Sequence, residues 1–139
     1  MNIAITGSNG FIAKNLIFNL IFNKNFKIFK IDRKTKKKRI NDILEKSEII
    51  FHFAGVNKEK KKYNFQNDNI KFTNYLCEFL SKKNLKKKII FSSSTQANLR
   101  NDYGKSKKKC EEILLNFSKK NKSELIILRL PNIYGKWSK

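Results

Sequence analysis

The sequence predicts an α/β protein with a doubly wound parallel sheet of about five strands. Three observations predict it. Short apolar runs alternate with segments whose apolar residues recur at helical spacing. Each run is nearly all apolar, as strands covered on both faces are. A glycine-rich turn joins the first run to the first helical segment. At 139 residues the chain has room for one domain, 1–139, and no repeat or linker divides it.

The elements follow in order. Asn2 to Thr6 reads as a strand and Gly7-Ser8-Asn9-Gly10 as its turn. Phe11, Ile12, Leu16, Ile17, Leu20 and Ile21 then recur as one helix face. A second strand, Phe26 to Ile31, ends at Asp32, and the charge run Arg33 to Arg39 reads as a solvated loop. A short helix, Ile40 to Lys46, leads to a third strand, Ile49 to Phe53. After a Lys-rich loop, Lys58 to Lys62, a helix is expected over Gln66 to Lys83, with Ile70, Tyr75, Leu76, Phe79 and Leu80 as its stripe. Strand four is Lys88 to Phe91, closing on Ser92-Ser93-Ser94. A helix from Asp102 to Lys120 and a last strand, Leu125 to Leu130, stopped by Pro131, complete the pattern.

Composition excludes several classes. Two Cys make no disulfide framework, and one His with two Cys makes no four-ligand zinc site. The stretch Phe11 to Phe22 is broken by Lys14, Asn15 and Asn19 and falls short of the ~20 residues of a membrane span. A cytoplasmic location with free thiols at Cys77 and Cys110 is the expectation. The net charge of +21 invites a nucleic-acid reading. However, 28 of the 32 basic residues are Lys and only 4 are Arg, whereas phosphate and base recognition favour Arg forks. Lys, Asn, Ile and Phe, with A/T-rich codons, dominate, and Gly, Ala, Pro and Arg are scarce. The charge reads as genome composition on solvated positions, with no nucleic-acid partner.

The turn Gly7-Ser8-Asn9-Gly10, continuing into Phe11-Ile12-Ala13, lets backbone amides approach a pyrophosphate at a helix amino end. Ala13 at the third small position still permits close helix–strand packing. Asp32 stands where a carboxylate accepts hydrogen bonds from an adenosine ribose, favouring NAD. Arg33 and Lys34 follow at once and suit a 2′-phosphate, favouring NADP. The sequence leaves both open.

A second constellation is Ser94 with Tyr103 and Lys107. Tyr103 and Lys107 lie four apart, on one face of the expected helix. A free tyrosine titrates near ~10, and a neighbouring ammonium is expected to lower that by favouring the phenolate. Ser94, at a strand's carboxyl end, is placed to donate to a substrate oxygen.

With these motifs in view, the chain resembles the extended short-chain dehydrogenase/reductase family, the nucleotide-sugar epimerases, dehydratases and reductases. The matching residues, in family order, are 6–12, His52-Phe53-Ala54-Gly55, Asn69, Ser92-Ser93-Ser94, Tyr103-Gly104-Lys105-Ser106-Lys107 and Arg129-Leu130-Pro131-Asn132-Ile133-Tyr134-Gly135. Ala54-Gly55-Val56-Asn57, the short stretch from Ser94 to Tyr103, and Gly135-Lys136-Trp137 resemble the capsular-polysaccharide UDP-4-keto-hexose reductases within it. The resemblance implies a Rossmann-like sheet lacking one edge strand of the usual six, with the carboxy-terminal substrate lobe absent. It also implies NAD(P) as cofactor and a nucleotide-activated keto-sugar as substrate. Gly7, Ser8, Asn9, Gly10, Phe11, Ile12, Asp32, Arg33, Ala54, Gly55, Val56, Ser92, Tyr103, Lys107 and Pro131 are the implied cofactor contacts. Ser94 and Asn132 are the implied substrate contacts, and Ser94, Tyr103 and Lys107 the catalytic residues. Thr95-Gln96 replaces the acidic pair of the dehydratases, which argues against dehydration. Epimerisation, or a silent nucleotide-binding role beside a second polypeptide carrying the missing lobe, are the alternatives. A homodimer through the Tyr103 helix and its predecessor is also implied. His52 is expected to be a packed strand residue, Cys77 and Cys110 helix packing, and Trp137 exposed.

Overall fold

The computed structural model describes residues 1–57 and 64–137, so the expected loop at Lys58 to Lys62 lies outside the described residues. Its elements are β1 (Asn2–Thr6), α1 (Phe11–Leu20), β2 (Lys27–Ile31), α2 (Lys37–Lys46), β3 (Ile49–His52), α3 (Phe72–Lys82), β4 (Lys88–Ser94), α4 (Asp102–Asn121) and β5 (Leu125–Leu130). A π-helical segment, Gln66–Lys71, runs directly into α3, and a 3-10 turn, Thr95–Asn98, precedes α4. The five strands are all parallel in the order β2-β1-β3-β4-β5. This is the expected Rossmann-like sheet. Its order reverses between β1 and β3, which opens a crevice at their carboxyl ends.

The larger core lies on the α2–α4 face, where Leu44, Ile50, Leu76, Leu80, Phe91 and Leu114 pack with almost no exposure. On the other face α1 covers β1 and its neighbours through Ala13 and Ile17, against Ile3 and Ile5. Coverage is less complete than the apolar strands predict. Ile126 and Leu128 of β5 are 38% and 39% exposed. They alternate with Leu125 and Ile127, which pack on the larger core. An apolar run therefore marks a strand without guaranteeing that both its faces are covered.

Three boundaries differ from expectation for physical reasons. Helix α2 begins at Lys37, inside the charge run. Lys37, Lys38 and Arg39 form its exposed first turn, and Ile40, Ile43 and Leu44 its buried stripe. The serines 92–94 belong to β4 instead of closing it, because each pairs with β5, Ser94 opposite Leu130. The helix expected from Gln66 opens as a π segment. That segment buries Asn69, a residue outside the expected apolar stripe.

Candidate active site

The turn after β1 closes through the Gly10 N–H donating to the Gly7 carbonyl, 2.8 Å. Gly7 has φ +67°, and a Cβ there would meet the Ala54 backbone at 2.7 Å. Only glycine fits both the left-handed conformation and this close approach. Gly10 precedes α1 in extended conformation, and no side chain among the described residues caps the helix. The first-turn N–H groups, which no intrahelical carbonyl can satisfy, are thus open to an anion.

Asp32 closes β2 beside this turn. Its carboxylate accepts from the Asn9 side-chain amide (2.9 Å), the Lys34 N–H (2.9 Å) and the Thr35 hydroxyl (3.1 Å). The Lys34 backbone hydrogen bond is the first cause, and Thr35 the next, of a carboxyl held below its usual range. Gly7, Asn9, Gly10, Asp32, Arg33, Ala54 and Gly55 help line one groove of about 560 Å³.

The loop after β3 is wired from beneath. The Ala54 N–H donates to the Thr6 hydroxyl oxygen, 3.0 Å. Thr6 Oγ1 lies 2.9 Å from His52 Nδ1, and His52 Nε2 lies 2.9 Å from Thr73 Oγ1. The Thr73 proton goes to the Asn69 carbonyl, 2.7 Å. Thr73 must therefore accept from His52, which fixes the Nε2–H tautomer and makes Nδ1 the acceptor for Thr6. Burial, and secondarily the Lys107 charge, push the His52 pKa down to about 3. His52 is the packed strand residue expected, stacked on Phe91, and also the centre of this chain.

Asn69 holds the loop's far side. Its side chain accepts from the Val56 N–H (2.7 Å) and donates to the Val56 carbonyl (3.1 Å) and the Ser106 hydroxyl (3.1 Å). Ser106 in turn donates to the Tyr103 carbonyl, 2.7 Å. One network thus joins the cofactor-side loop to α4.

On α4, Lys107 is buried, and its ammonium donates to the Ser92 carbonyl, 2.8 Å. It also sits over the Phe91 ring, 4.8 Å from the centroid. Burial lowers its pKa to about 8. A Cβ on Gly55 would lie 2.9 Å from Asn69 Oδ1 and 3.6 Å from Lys107 Nζ, so loop and lysine meet here. Tyr103 is half-buried, with Ser94 close enough to act against the effect of burial on its pKa, and its ring lies 5.7 Å from that of Phe65. Ser94 Oγ also accepts from the Gln96 N–H, 3.2 Å.

The structure corrects one electrostatic expectation. Tyr103 has its pKa raised, by burial, with the Ser94 hydrogen bond as the opposing influence. Lys107 does not lower it here, because its Nζ stands 6.0 Å from the Tyr103 ring centroid and is committed to Ser92.

Ser94, Tyr103 and Lys107 therefore converge at the end of β4, and the cradle residues converge at β1–β3. Pro131 and Asn132 are exposed beyond β5, and neither they nor Ser94, Tyr103 and Lys107 are among the residues that line the groove. Trp137 is exposed, as expected, and meets the Phe18 ring edge-on at 5.9 Å. Sequence reasoning missed three residues. Gly104 has no room for a Cβ, which would fall 2.0 Å from the Gln96 carbonyl oxygen. Glu111, one turn beyond Lys107, takes a bidentate Arg129 (2.9 and 2.6 Å) and the Ser93 hydroxyl (2.5 Å). Asp68 pairs with Arg33 at 3.2 Å. A carboxylate on the apolar side of a Lys-rich helix was the available signal for Glu111. Asp68 carried none, since its partner is distant in sequence.

Among the described residues no cluster could hold a metal ion, and no helix is long and apolar enough to cross a membrane. A glycine turn without room for Cβ, an uncapped helix start and a fixed carboxylate fit a dinucleotide.

This fold and these motifs define a class, and the chain belongs to the NAD dependent epimerase/dehydratase family, whose model matches residues 3–139. Its whole length is 32% identical to a UDP-2-acetamido-2,6-beta-L-arabino-hexul-4-ose reductase of Pseudomonas aeruginosa, of which it covers 37%. The capsular polysaccharide assembling protein CapF of Staphylococcus aureus superposes over all of this chain and 38% of its own, with TM-score 0.87 and 35% identity. A UDP-glucuronic acid 4-epimerase of Bacillus cereus, solved with NAD, shares the fold at TM-score 0.81 and 19% identity over 97% of this chain and 58% of its own. The chain thus spans little more than a third of the length of the reductase and of CapF.

Proposed function

We propose that this chain binds NAD(P)H in the β1–β3 cradle and serves the reduction of a nucleotide-activated 4-keto sugar of the UDP-4-keto-6-deoxyhexose type, in surface polysaccharide synthesis. The observation that carries the reading is the convergence of Ser94, Tyr103 and Lys107 beside the Gly55 loop. The resemblance to a UDP-keto-sugar reductase supports the substrate class.

Gly7 to Ile12 would hold the pyrophosphate, Asp32 or Arg33 the adenosine ribose, and Ala54 to Val56 the remaining backbone of the cofactor. A dinucleotide held there would supply the hydride for the carbonyl carbon. Ser94 donates a hydrogen bond to the ketone oxygen, and Tyr103 delivers its proton there, so that an alcohol forms. The resulting tyrosinate regains a proton from water, with Lys107 as the nearby cation. Ser92 contributes by fixing the Lys107 ammonium. The family resemblance, and no contact with the groove, supports Asn132 toward the substrate and Pro131 toward the cofactor's nicotinamide end.

The test is turnover of a UDP-4-keto-6-deoxyhexose with NADH or NADPH, beside Tyr103→Phe. Stoichiometric consumption of reduced cofactor, lost in the variant, supports a reductase. Conversion without net consumption would replace it by an epimerase. Turnover only on adding a further polypeptide would assign this chain the dinucleotide-binding share of a larger assembly. No binding of either dinucleotide sinks the reading.

A further inference from the structure

We propose that Glu111 is a positioning residue for the reaction put forward above: through Arg129 and Ser93 it seats α4 on the end of β4, and so sets Lys107 at the Ser92 carbonyl and Tyr103 beside Ser94. The inference rests on the reductase reading and deepens it.

Helix α4 has two unlike parts. From residue 110 onward Cys110, Leu114 and Phe117 lie in the larger core. Before it, the buried residues are Gly104, Ser106 and Lys107, none with an apolar side chain. Apolar packing is non-directional, so the core holds the far part without fixing where Tyr103 and Lys107 stand. Directional polar contacts must do that.

Glu111 stands at the boundary between the two parts, its side chain 5% exposed. One carboxylate oxygen accepts from the Ser93 hydroxyl (2.5 Å) and Arg129 Nε (2.9 Å), and the other from Arg129 Nη2 (2.6 Å). Arg129 Nη1 donates to Asn98 Oδ1 at 3.0 Å. Asn98 belongs to the 3-10 turn that follows Ser94, and Gly104 packs on that same turn. One carboxylate therefore joins α4, β4 and β5, and through Arg129 the turn between them. Tyr103, Lys107 and Glu111 recur every four residues, on one face of α4. That face meets Ser94, Ser92 and Ser93, the last three residues of β4.

Charge matters as well as shape. Burial alone would raise the Glu111 carboxyl, but hydrogen bonds from Arg129 and Ser93 hold it below its usual range. Lys107 faces Cys110, Glu111 and the Tyr103 ring on its own helix and His52 from β3. Burial raises the Cys110 thiol and the Tyr103 phenol and lowers His52, so all three are neutral near pH 7. Glu111 is the anion that remains to favour the Lys107 ammonium.

The experiment compares wild type, Glu111→Gln and Arg129→Gln by amide hydrogen exchange and by NMR titration of labelled lysine side chains, with Lys107→Met to assign the signal. Both variants should speed exchange at residues 95–98 and 103–109 about tenfold, with β1–β3 unchanged. Glu111→Gln should move the Lys107 titration about one pH unit lower. Arg129→Gln keeps the carboxylate and should not lower it. A merely structural pair predicts like titrations in both variants and faster exchange throughout the chain, and either result overturns the proposal. So does unchanged exchange at 103–109 in Glu111→Gln. Should that variant not fold, Arg129→Lys, which keeps a charge but loses the fork, carries the same exchange test. With a UDP-4-keto-6-deoxyhexose and NADH, Glu111→Gln should lower kcat on the order of tenfold, with KM within about twofold. An unchanged kcat removes Glu111 from the reaction and leaves the reductase reading standing. No turnover by wild type sinks that reading, while exchange and the Lys107 titration still decide how α4 is seated.

Discussion

The cradle at β1–β3 and the cluster at the end of β4 are built differently. The cradle at β1–β3 is mostly backbone, and the chain itself fastens each piece of it. Thr6, His52 and Thr73 tie down Ala54, Asn69 clamps Val56, and Asp32 is held by Asn9, Lys34 and Thr35. The cluster at the end of β4 is side chains on α4 and a strand end. There burial raises Tyr103 and lowers Lys107, so both are held toward their neutral forms. The difference separates the two proposed roles. Disturbing the cradle should alter binding and stability, whereas disturbing the cluster should alter turnover.

The largest expected effect probes the cradle's wiring. His52 titrates near 3 when folded and near 6.5 when free. The unfolded state takes up the proton first as pH falls, so stability is full above about 6.5 and is lost toward 3. That loss is on the order of 5 kcal/mol. Denaturant unfolding across this range should show the slope in wild type and lose it in His52→Gln, which keeps a donor for Thr73. Equal slopes would mean that the histidine is not buried in neutral form.

Next is the cluster. Tyr103→Phe should lower turnover about a thousandfold, within the usual range for a lost general acid. NADH affinity measured by calorimetry should stay within about twofold. A comparable loss of binding would erase the division between cradle and cluster.

Gly7→Ala reverses that pattern. The left-handed backbone and a Cβ 2.7 Å from Ala54 should cost about 3 kcal/mol in unfolding free energy. Dinucleotide binding should weaken with it. A variant that binds normally would show that the turn is not the cradle.

The smallest effect sharpens the comparison from the other side. Lys107 has a folded pKa near 8, below its usual 10.5. The unfolded state binds the extra proton between those values, so wild-type stability should rise relative to Lys107→Met as pH climbs from 8 to 10.5. The gain is on the order of 3 kcal/mol. A flat difference would place the ammonium in water.

Much of this was legible in the sequence. The glycine turn, Asp32 and the spacing of Tyr103 and Lys107 announced their positions, because local chemistry dictates them. The strands were visible for the same reason, since apolar runs of that length have few alternatives. What escaped was set by distant contacts. Ser92 to Ser94 became strand only because β5 lies alongside. The direction of the Tyr103 shift depended on how far folding buries the phenol. Asp68 gained meaning only when folding brought Arg33 to it. Lysines at 37 and 38 hid a helix start because charge on an exposed helix face looks like charge in a loop.

Amide hydrogen exchange with and without NADH tests the central claim most directly. Binding in the cradle predicts added protection at residues 7–12, 32–35 and 54–56, with β5 unchanged. Protection confined to other segments, or none at any NADH concentration, would contradict it.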